Sequence, residues 1–122
     1  IEIDRDSCYG CMTCVRNCTA MALQTVAKEM TVEEVLAKVE QDRGFYDTTG
    51  GGMTISGGEM LSQPEFVREL VDKAAAHGIH VCLDTSGFGD GDLLEELAAQ
   101  EIVTTVLYDM KSIDDAIHQK CT

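Results

Sequence analysis

The sequence lacks tryptophan, has one proline, and is poor in positive charge: 9 Lys and Arg residues stand against 22 Asp and Glu residues, a net charge of −13 over 122 residues. An acidic surface repels phosphate groups, so charge-driven binding to nucleic acid or to an anionic membrane is disfavoured. No apolar run approaches the ~20 residues of a membrane-spanning helix, and no basic and then apolar signal segment opens the chain. We therefore expect a cytoplasmic protein of one modest domain, or a piece of a larger one.

The two ends of the sequence also bear on its extent. The chain starts at Ile1 rather than at Met, and it stops at Thr122 soon after the signals for a helix start. We therefore expect it to be the middle of a longer protein.

The six cysteines are unevenly distributed. Four of them form the run C-x-x-C-x-x-C-x-x-x-C, namely Cys8, Cys11, Cys14 and Cys18, while Cys82 and Cys121 stand apart. In a reducing compartment, clustered thiols more often bind metal than form disulfides. The spacing matches the ferredoxin run that holds a [4Fe–4S] cluster, in which the fourth cysteine ligates the other cluster when two are present. A structural zinc site is the less favoured alternative, because zinc sites usually separate two cysteine pairs by a longer loop.

Hydrophobic periodicity predicts alternating helices and strands after the cysteine run. A helix starts at Thr31 with a capping box to Glu34. The turn residues Asp47 to Gly52 predict a loop. The remaining predicted elements are a strand at Met53 to Ile55, a helix from Ser62 and Pro64 that Gly78 closes, a strand at Ile79 to Leu83, a helix capped by Asp92, a strand at Ile102 to Tyr108, and a helix started by Ser112 and Asp115. This order predicts an α/β fold with parallel strands.

Polar residues follow each of the three predicted strands. Because ligands bind at the carboxyl edge of parallel sheets, these residues are expected to converge on one pocket. They are Glu59, Asp84, Thr85, Asp109 and Lys111.

The residues at this edge favour one kind of ligand. Gly57 and Gly58 permit a ligand to approach the main chain closely. Glu59 can accept hydrogen bonds from an ammonium group, and Lys111 can pair with a carboxylate. A ligand that carries both groups is an amino acid.

The glycine-rich segment after the second strand allows a nucleotide-binding alternative. Gly87, Gly89 and Gly91 lie between a strand and a helix, as in a dinucleotide fingerprint. The spacing is G-x-G-x-G rather than G-x-G-x-x-G, and Asp90 and Asp92 place negative charge where a pyrophosphate would sit. The pattern therefore disfavours a nucleotide site.

Taken in series, the motifs resemble those of the activating enzymes of glycyl radical enzymes. These are radical S-adenosylmethionine (SAM) proteins of the pyruvate formate-lyase activating enzyme type, and the chain is most similar to the subgroup with a ferredoxin-like insert. The resemblance covers nearly the whole chain. It rests on the cysteine run and on the segments Met30 to Val35, Gly50 to Glu59, Leu83 to Gly87 and Tyr108 to Lys111.

The resemblance implies a fold and a reaction. Residues 31–122 would form a partial (β/α) barrel, and residues 1–30 would form the second half of a ferredoxin-like iron–sulfur insert. A reduced cluster would cleave SAM to a 5′-deoxyadenosyl radical, which would take a hydrogen atom from a glycine of a partner glycyl radical enzyme. A flavodoxin or a ferredoxin-type protein would supply the electron.

The resemblance also implies roles for particular residues. Gly57, Gly58 and Glu59 would hold the amino group of SAM, and Lys111 would contact its carboxylate. Cys8, Cys11, Cys14 and Cys18 would hold an auxiliary [4Fe–4S] cluster. A monovalent cation beside the carboxylate would be bound by Asp84, Thr85 and Asp109.

One motif of the family is absent from the 122 residues. The catalytic cluster is held by C-x-x-x-C-x-x-C, which leaves one iron free for SAM, and this sequence has no such run. We expect that motif upstream of Ile1, with no catalytic residue within this segment and no activity of the segment alone. Its open strand edges predict aggregation or dimerisation in isolation. The alternatives are an electron-transfer module without catalysis and a zinc-stabilised interaction domain.

Overall fold

The computed structural model describes residues 3–121, so the interpretation of the two ends at Ile1 and Thr122 lies outside the described residues. Contacts divide the chain into two compact units, Ile1–Met30 and Thr31–Thr122. The first unit has one short helix, α1 (Thr13–Arg16), in its described part. Gly10 (φ +73°) and Met12 (φ +55°) precede that helix with left-handed backbone. The cysteine-rich segment thus combines left-handed backbone at two positions with one short helix.

The second unit alternates helices with the three strands of one parallel sheet, in the order β1-β2-β3. Two short 3₁₀ turns, Glu40–Asp42 and Met60–Ser62, interrupt the sequence of elements. The helices and strands are α2 (Val32–Val39), α3 (Arg43–Thr49), β1 (Gly52–Ile55), α4 (Pro64–Ala76), β2 (His80–Thr85), α5 (Gly91–Ala98), β3 (Val103–Tyr108) and α6 (Asp115–Cys121). The prediction of an α/β fold with parallel strands is confirmed.

Local signals in the sequence fix several helix ends. The Thr31 hydroxyl accepts a hydrogen bond from the Glu34 amide at 3.2 Å, and the Glu34 carboxylate accepts from the Thr31 amide at 2.9 Å. This reciprocal pair is the capping box that the sequence predicts. Pro64 occupies the first turn of α4, and Gly78 follows that helix at φ +65°, where a residue with a Cβ is disfavoured.

Within the described part of the second unit, α2, α4 and α5 pack against one face of the sheet. Met53, Ile55, Val81 and Leu83 alternate along β1 and β2 and are buried with apolar residues of α2, α4 and α5. The intervening side chains belong to the opposite face, because successive residues of a strand point to opposite sides. On that face Thr54 is exposed, Cys82 and Asp84 are half-buried, and Leu107 is 51% exposed.

Among the described residues, β3 pairs with a neighbour on one side only, so self-association of the isolated chain remains a prediction.

Two local predictions are wrong. The loop expected at Asp47 to Gly52 begins only after α3, which ends at Thr49. Arg43 pairs with Asp47 one turn later, and the Thr48 hydroxyl donates to the Gly44 carbonyl, so these polar residues support a helical turn.

The cap of α5 is the second difference. The carboxylate that accepts from the Asp92 and Leu93 amides is that of Asp90, and Asp92 lies in the first turn. Asp90 and Asp92 are two residues apart, and either could serve as the N-cap residue of a helix by its sequence. In the structure the N-cap residue is Asp90.

None of the helices within residues 3–121 combines the length and the apolar composition that crossing a membrane requires.

Candidate functional site

The carboxyl ends of the three strands lie side by side in the second unit. Ile55 is in register with Leu83, and Thr85 is in register with Tyr108. The loops that leave the strands therefore start from one edge of the sheet. Of the residues predicted for this edge, Asp84 and Thr85 end β2, and the others lie in these loops, as the sequence predicts for a parallel sheet. They are Gly57, Gly58, Glu59, Asp109 and Lys111.

The Glu59 carboxylate joins the end of β1 to the end of β2. Its Oε1 accepts from the Thr85 hydroxyl at 2.6 Å and from the Leu61 amide at 3.1 Å. Its Oε2 accepts from the Ser86 amide at 2.9 Å and from the Ser86 hydroxyl at 2.7 Å. A carboxylate has about four acceptor positions, so these four bonds engage them all. Glu59 thus braces the strand ends.

These bonds set the charge state of Glu59. Partial burial acts to raise its pKa, but hydrogen bonds from Ser86, Thr85 and Leu61 outweigh that effect and hold the pKa below its usual value of 4.5. Because only the ionised carboxylate can accept all four bonds, the bracing is complete only when Glu59 is negatively charged.

We expect a Glu59→Gln substitution to reduce stability most where the carboxylate is ionised. With a lowered folded-state pKa, the stabilising contribution is present above pH 4.5 and is lost as the pH falls through the folded-state pKa. In urea unfolding of the complete protein, the difference between wild type and Glu59→Gln should therefore shrink below pH 4.5. Glu101→Gln, at an exposed turn before β3, should show no such trend. A pH-independent difference for Glu59→Gln would contradict the assignment.

Gly57 and Gly58 lie in an open stretch of backbone beside Glu59. Gly57 has φ +118°, and no heavy atom lies within 4 Å of a Cβ built on either glycine. Together with Glu59 they line a pocket of about 260 Å³. A ligand can therefore reach the main chain here.

The structure separates the side chains of Asp84 and Thr85. Thr85 is buried at 3% exposure, and its hydroxyl donates to Glu59 while accepting from the Gly87 amide at 2.9 Å. Asp84 belongs to the open face of the sheet, where no residue among 3–121 forms a hydrogen bond or ion pair with its carboxylate. The two residues are neighbours in sequence, but their side chains do not meet.

Asp109 and Lys111 form the third part of the edge. The Lys111 ammonium pairs with the Asp109 carboxylate, and both side chains are about half exposed. The Asp109 amide donates to the Thr85 carbonyl at 2.8 Å, which ties the end of β3 to the end of β2. The side chains of Glu59 and Thr85 therefore meet, as the sequence predicts, whereas Asp109 joins this edge through its backbone amide.

The glycine-rich segment after β2 has a packing explanation. A Cβ on Gly87 would collide with the Tyr108 hydroxyl, and a Cβ on Gly89 would lie 2.5 Å from the Leu61 Cβ. Asp90 places its carboxylate at the start of α5, where a phosphate would otherwise bind. Close packing thus accounts for two of the three glycines.

The four clustered cysteines occupy the first unit. Cys8, Cys11 and Cys14 are exposed, Cys18 is half-buried, and all are free thiols. Hydrogen bonds from the Thr13 side chain and amide, and from Tyr9, lower the pKa of Cys11 to about 7. Within residues 3–121, no three His, Cys, Asp or Glu side chains are arranged to hold a metal ion. By donor chemistry, four thiols fit a [4Fe–4S] cluster, because such clusters are ligated by thiolates.

Two residues of the site are not among those that the sequence predicts. Ser86 donates twice to Glu59, and His118 contacts both the Ser86 carbonyl and the Lys111 amide. Ser86 directly follows a predicted site residue and lies within the segment Leu83 to Gly87 that carries the resemblance, and these are the local signals for it. His118 lies in α6, outside the motifs that follow the strands, and this helix places it at the carboxyl edge of the sheet.

Comparison with known proteins identifies a sequence family. The profile of the Radical SAM superfamily matches residues 7–122. The isethionate sulfite-lyase activating enzyme of Nitratidesulfovibrio vulgaris is 43% identical over 123 residues, covering 100% of this chain and 39% of that protein. The pyruvate formate-lyase 1-activating enzyme of Escherichia coli is 43% identical over 94 residues, covering 75% of this chain and 37% of that protein. The chain spans about two fifths of the length of the curated relatives it matches.

Proposed function

The chain belongs to the Radical SAM superfamily, and we propose that it is a central segment of an activating enzyme for a glycyl radical enzyme. The complete protein would use one electron to cleave SAM into methionine and a 5′-deoxyadenosyl radical. That radical would take a hydrogen atom from a glycine of the partner, leaving 5′-deoxyadenosine and a glycyl radical. Relatives that carry activating-enzyme names align with nearly the whole chain, which supports this assignment.

The observation that carries the proposal is the hydrogen-bonded junction of the three strand ends. Glu59, which follows an open glycine backbone, accepts from Thr85 at the end of β2, and the Asp109 amide ties the end of β3 to the Thr85 carbonyl. A zwitterionic amino-acid group needs acceptors for its ammonium and a cation for its carboxylate. The edge offers both, since Lys111 lies at the end of β3.

We assign the ligand groups as follows. The backbone at Gly57 and Gly58, with the charge of Glu59, would hold the SAM amino group. Lys111 would leave Asp109 in part to contact the SAM carboxylate. A monovalent cation beside that carboxylate would use Asp84, Thr85 and Asp109. Because the Thr85 hydroxyl is engaged by Glu59, Thr85 would act there through its carbonyl oxygen.

Two clusters complete the proposal. A catalytic [4Fe–4S] cluster, when bound and reduced, would supply the electron for SAM cleavage, and it would need C-x-x-x-C-x-x-C ligands, a run that these 122 residues do not contain. Cys8, Cys11, Cys14 and Cys18 would hold an auxiliary [4Fe–4S] cluster in a ferredoxin-like insert. Ligation by four thiolates leaves no open position, so this cluster would only transfer electrons.

The remaining parts of the proposal concern architecture and setting. The three βα units would form part of a (β/α) barrel, with the open face of the sheet turned to its interior. The protein would act in the cytoplasm, with a flavodoxin or ferredoxin-type electron donor. It would bind neither nucleic acid nor membrane. A pure electron-transfer module is less well supported, because the family match extends far beyond the cysteine run.

Anaerobic turnover of the complete protein tests the function. After reconstitution with iron and sulfide, and with a reductant present, we expect SAM to yield 5′-deoxyadenosine. We also expect Lys111→Met to raise the KM for SAM, because the carboxylate loses its cation, whereas Lys38→Met on α2 leaves it unchanged. Reduction of the clusters without any 5′-deoxyadenosine would favour the electron-transfer module and contradict the proposal.

A further inference from the structure

His118 connects two of the strand ends. Its Nδ1 lies 3.2 Å from the Lys111 amide nitrogen, and its Nε2 lies 3.1 Å from the Ser86 carbonyl oxygen. Ser86 in turn donates its amide and hydroxyl to Glu59. A continuous path of hydrogen bonds therefore runs from Glu59 after β1 to Lys111 after β3.

The partners of the ring define its tautomer. The Lys111 amide can only donate, so Nδ1 must carry a lone pair. The neutral ring then has its proton on Nε2, which donates to the Ser86 carbonyl. Nδ1 thus accepts a hydrogen bond and Nε2 donates one. No other type of side chain has an acceptor and a donor at this spacing.

Packing holds the ring in place. His118 stacks on Tyr108, with ring centroids 6.1 Å apart and planes inclined by 19°. The Tyr108 hydroxyl approaches Gly87 so closely that a Cβ there would collide with it. The ring therefore rests on β3 while it contacts the loop after β2.

We propose that His118 is a positioning residue for the SAM carboxylate site, acting through the Lys111 backbone and the Ser86 loop. This inference rests on the proposed function. The Lys111 side chain is 41% exposed and paired only with Asp109 among the described residues, so its placement depends on its backbone. Anchoring the Lys111 amide reduces the conformational entropy lost when the ammonium binds an anion.

Three substitutions separate the tasks of the ring. His118→Phe keeps an aromatic ring on Tyr108 but removes both hydrogen bonds. His118→Asn keeps an acceptor near the position of Nδ1, and His118→Gln keeps a donor near the position of Nε2. His80→Phe is the matched control, because His80 lies at the amino end of β2 and bonds to the Gly50 carbonyl at 3.1 Å.

The first measurement needs no ligand. Hydrogen exchange over residues 109–113 of the complete protein should become several-fold faster in His118→Phe, as expected for the loss of one net hydrogen bond. Protection should be largely retained in His118→Asn and in His80→Phe. Unchanged exchange in His118→Phe would overturn the inference, whatever the protein binds.

The second measurement is SAM affinity by calorimetry on the reconstituted protein. We expect His118→Phe to raise the Kd about tenfold, with His118→Asn closer to wild type than His118→Gln. If His118→Phe fails to fold, the SAM Kd values of His118→Asn and His118→Gln provide the test. A Kd of His118→Asn that is closer to wild type supports the inference, and the reverse order overturns it. Wild-type protein that does not bind SAM would overturn the proposed function and this inference together. Wild-type binding that all three variants retain would overturn this inference alone.

Discussion

Replacing Cys14 by Ala in the complete protein is expected to remove one cluster, so that about four fewer iron atoms are bound per chain after anaerobic reconstitution. Cys14 lies on α1 and is exposed. Among residues 3–121 its thiol has no hydrogen-bond partner. The substitution therefore removes an exposed thiol and no side-chain hydrogen bond, so a loss of iron would report the loss of a ligand. Metal analysis and paramagnetic resonance provide the measurement.

The two cysteines outside the run are the matched controls. Cys82 is half-buried on the open face of the sheet, and Cys121 is exposed in α6. Cys82→Ala and Cys121→Ala should retain the full iron content, because neither lies in the proposed ligand set. Equal iron content in Cys14→Ala and wild type would contradict the auxiliary cluster. Zinc bound in preference to iron and sulfide would contradict it as well, and would favour the zinc-stabilised alternative.

Much of the fold follows from local signals in the sequence. The capping box at Thr31, the proline in the first turn of α4 and the left-handed Gly78 each specify a helix end within a few residues, and all three are found. The parallel order of the strands follows from their alternation with helices. The edge that gathers Glu59, Thr85 and Asp109 follows from that topology.

The missed features depend on contacts between distant residues. Glu59 and Ser86 are separated by 27 positions, and Ser86 and His118 by 32, so no local periodicity marks either pair. The sequence predicts that the Glu59 charge faces a ligand ammonium group. The structure shows the same charge bracing the sheet edge, a task that only the meeting of two strand ends reveals. For Asp84 and Thr85, alternation along β2 sends adjacent side chains to opposite faces.

Glu59→Ala should have a large effect on ligand binding. The substitution removes a charged acceptor and leaves the Thr85 hydroxyl, the Ser86 amide and hydroxyl, and the Leu61 amide without their partner. Loss of a hydrogen bond to a charged group is worth about 1.5–3 kcal/mol, which corresponds to an increase in the SAM Kd of about 10- to 100-fold. The four acceptor positions of Glu59 are already engaged within the protein, so this direction is predicted by the bracing of the strand ends and by the negative charge beside the ammonium group.

Calorimetric titration of SAM into the reconstituted complete protein tests most directly whether the three strand ends form one site. Wild type and Glu101→Ala should bind SAM equally, since Glu101 is an exposed glutamate in the turn before β3, at the opposite edge of the sheet. Glu59→Ala should bind at least about tenfold more weakly. If Glu59→Ala binds SAM as tightly as Glu101→Ala does, the carboxyl edge of β1, β2 and β3 is not the SAM site.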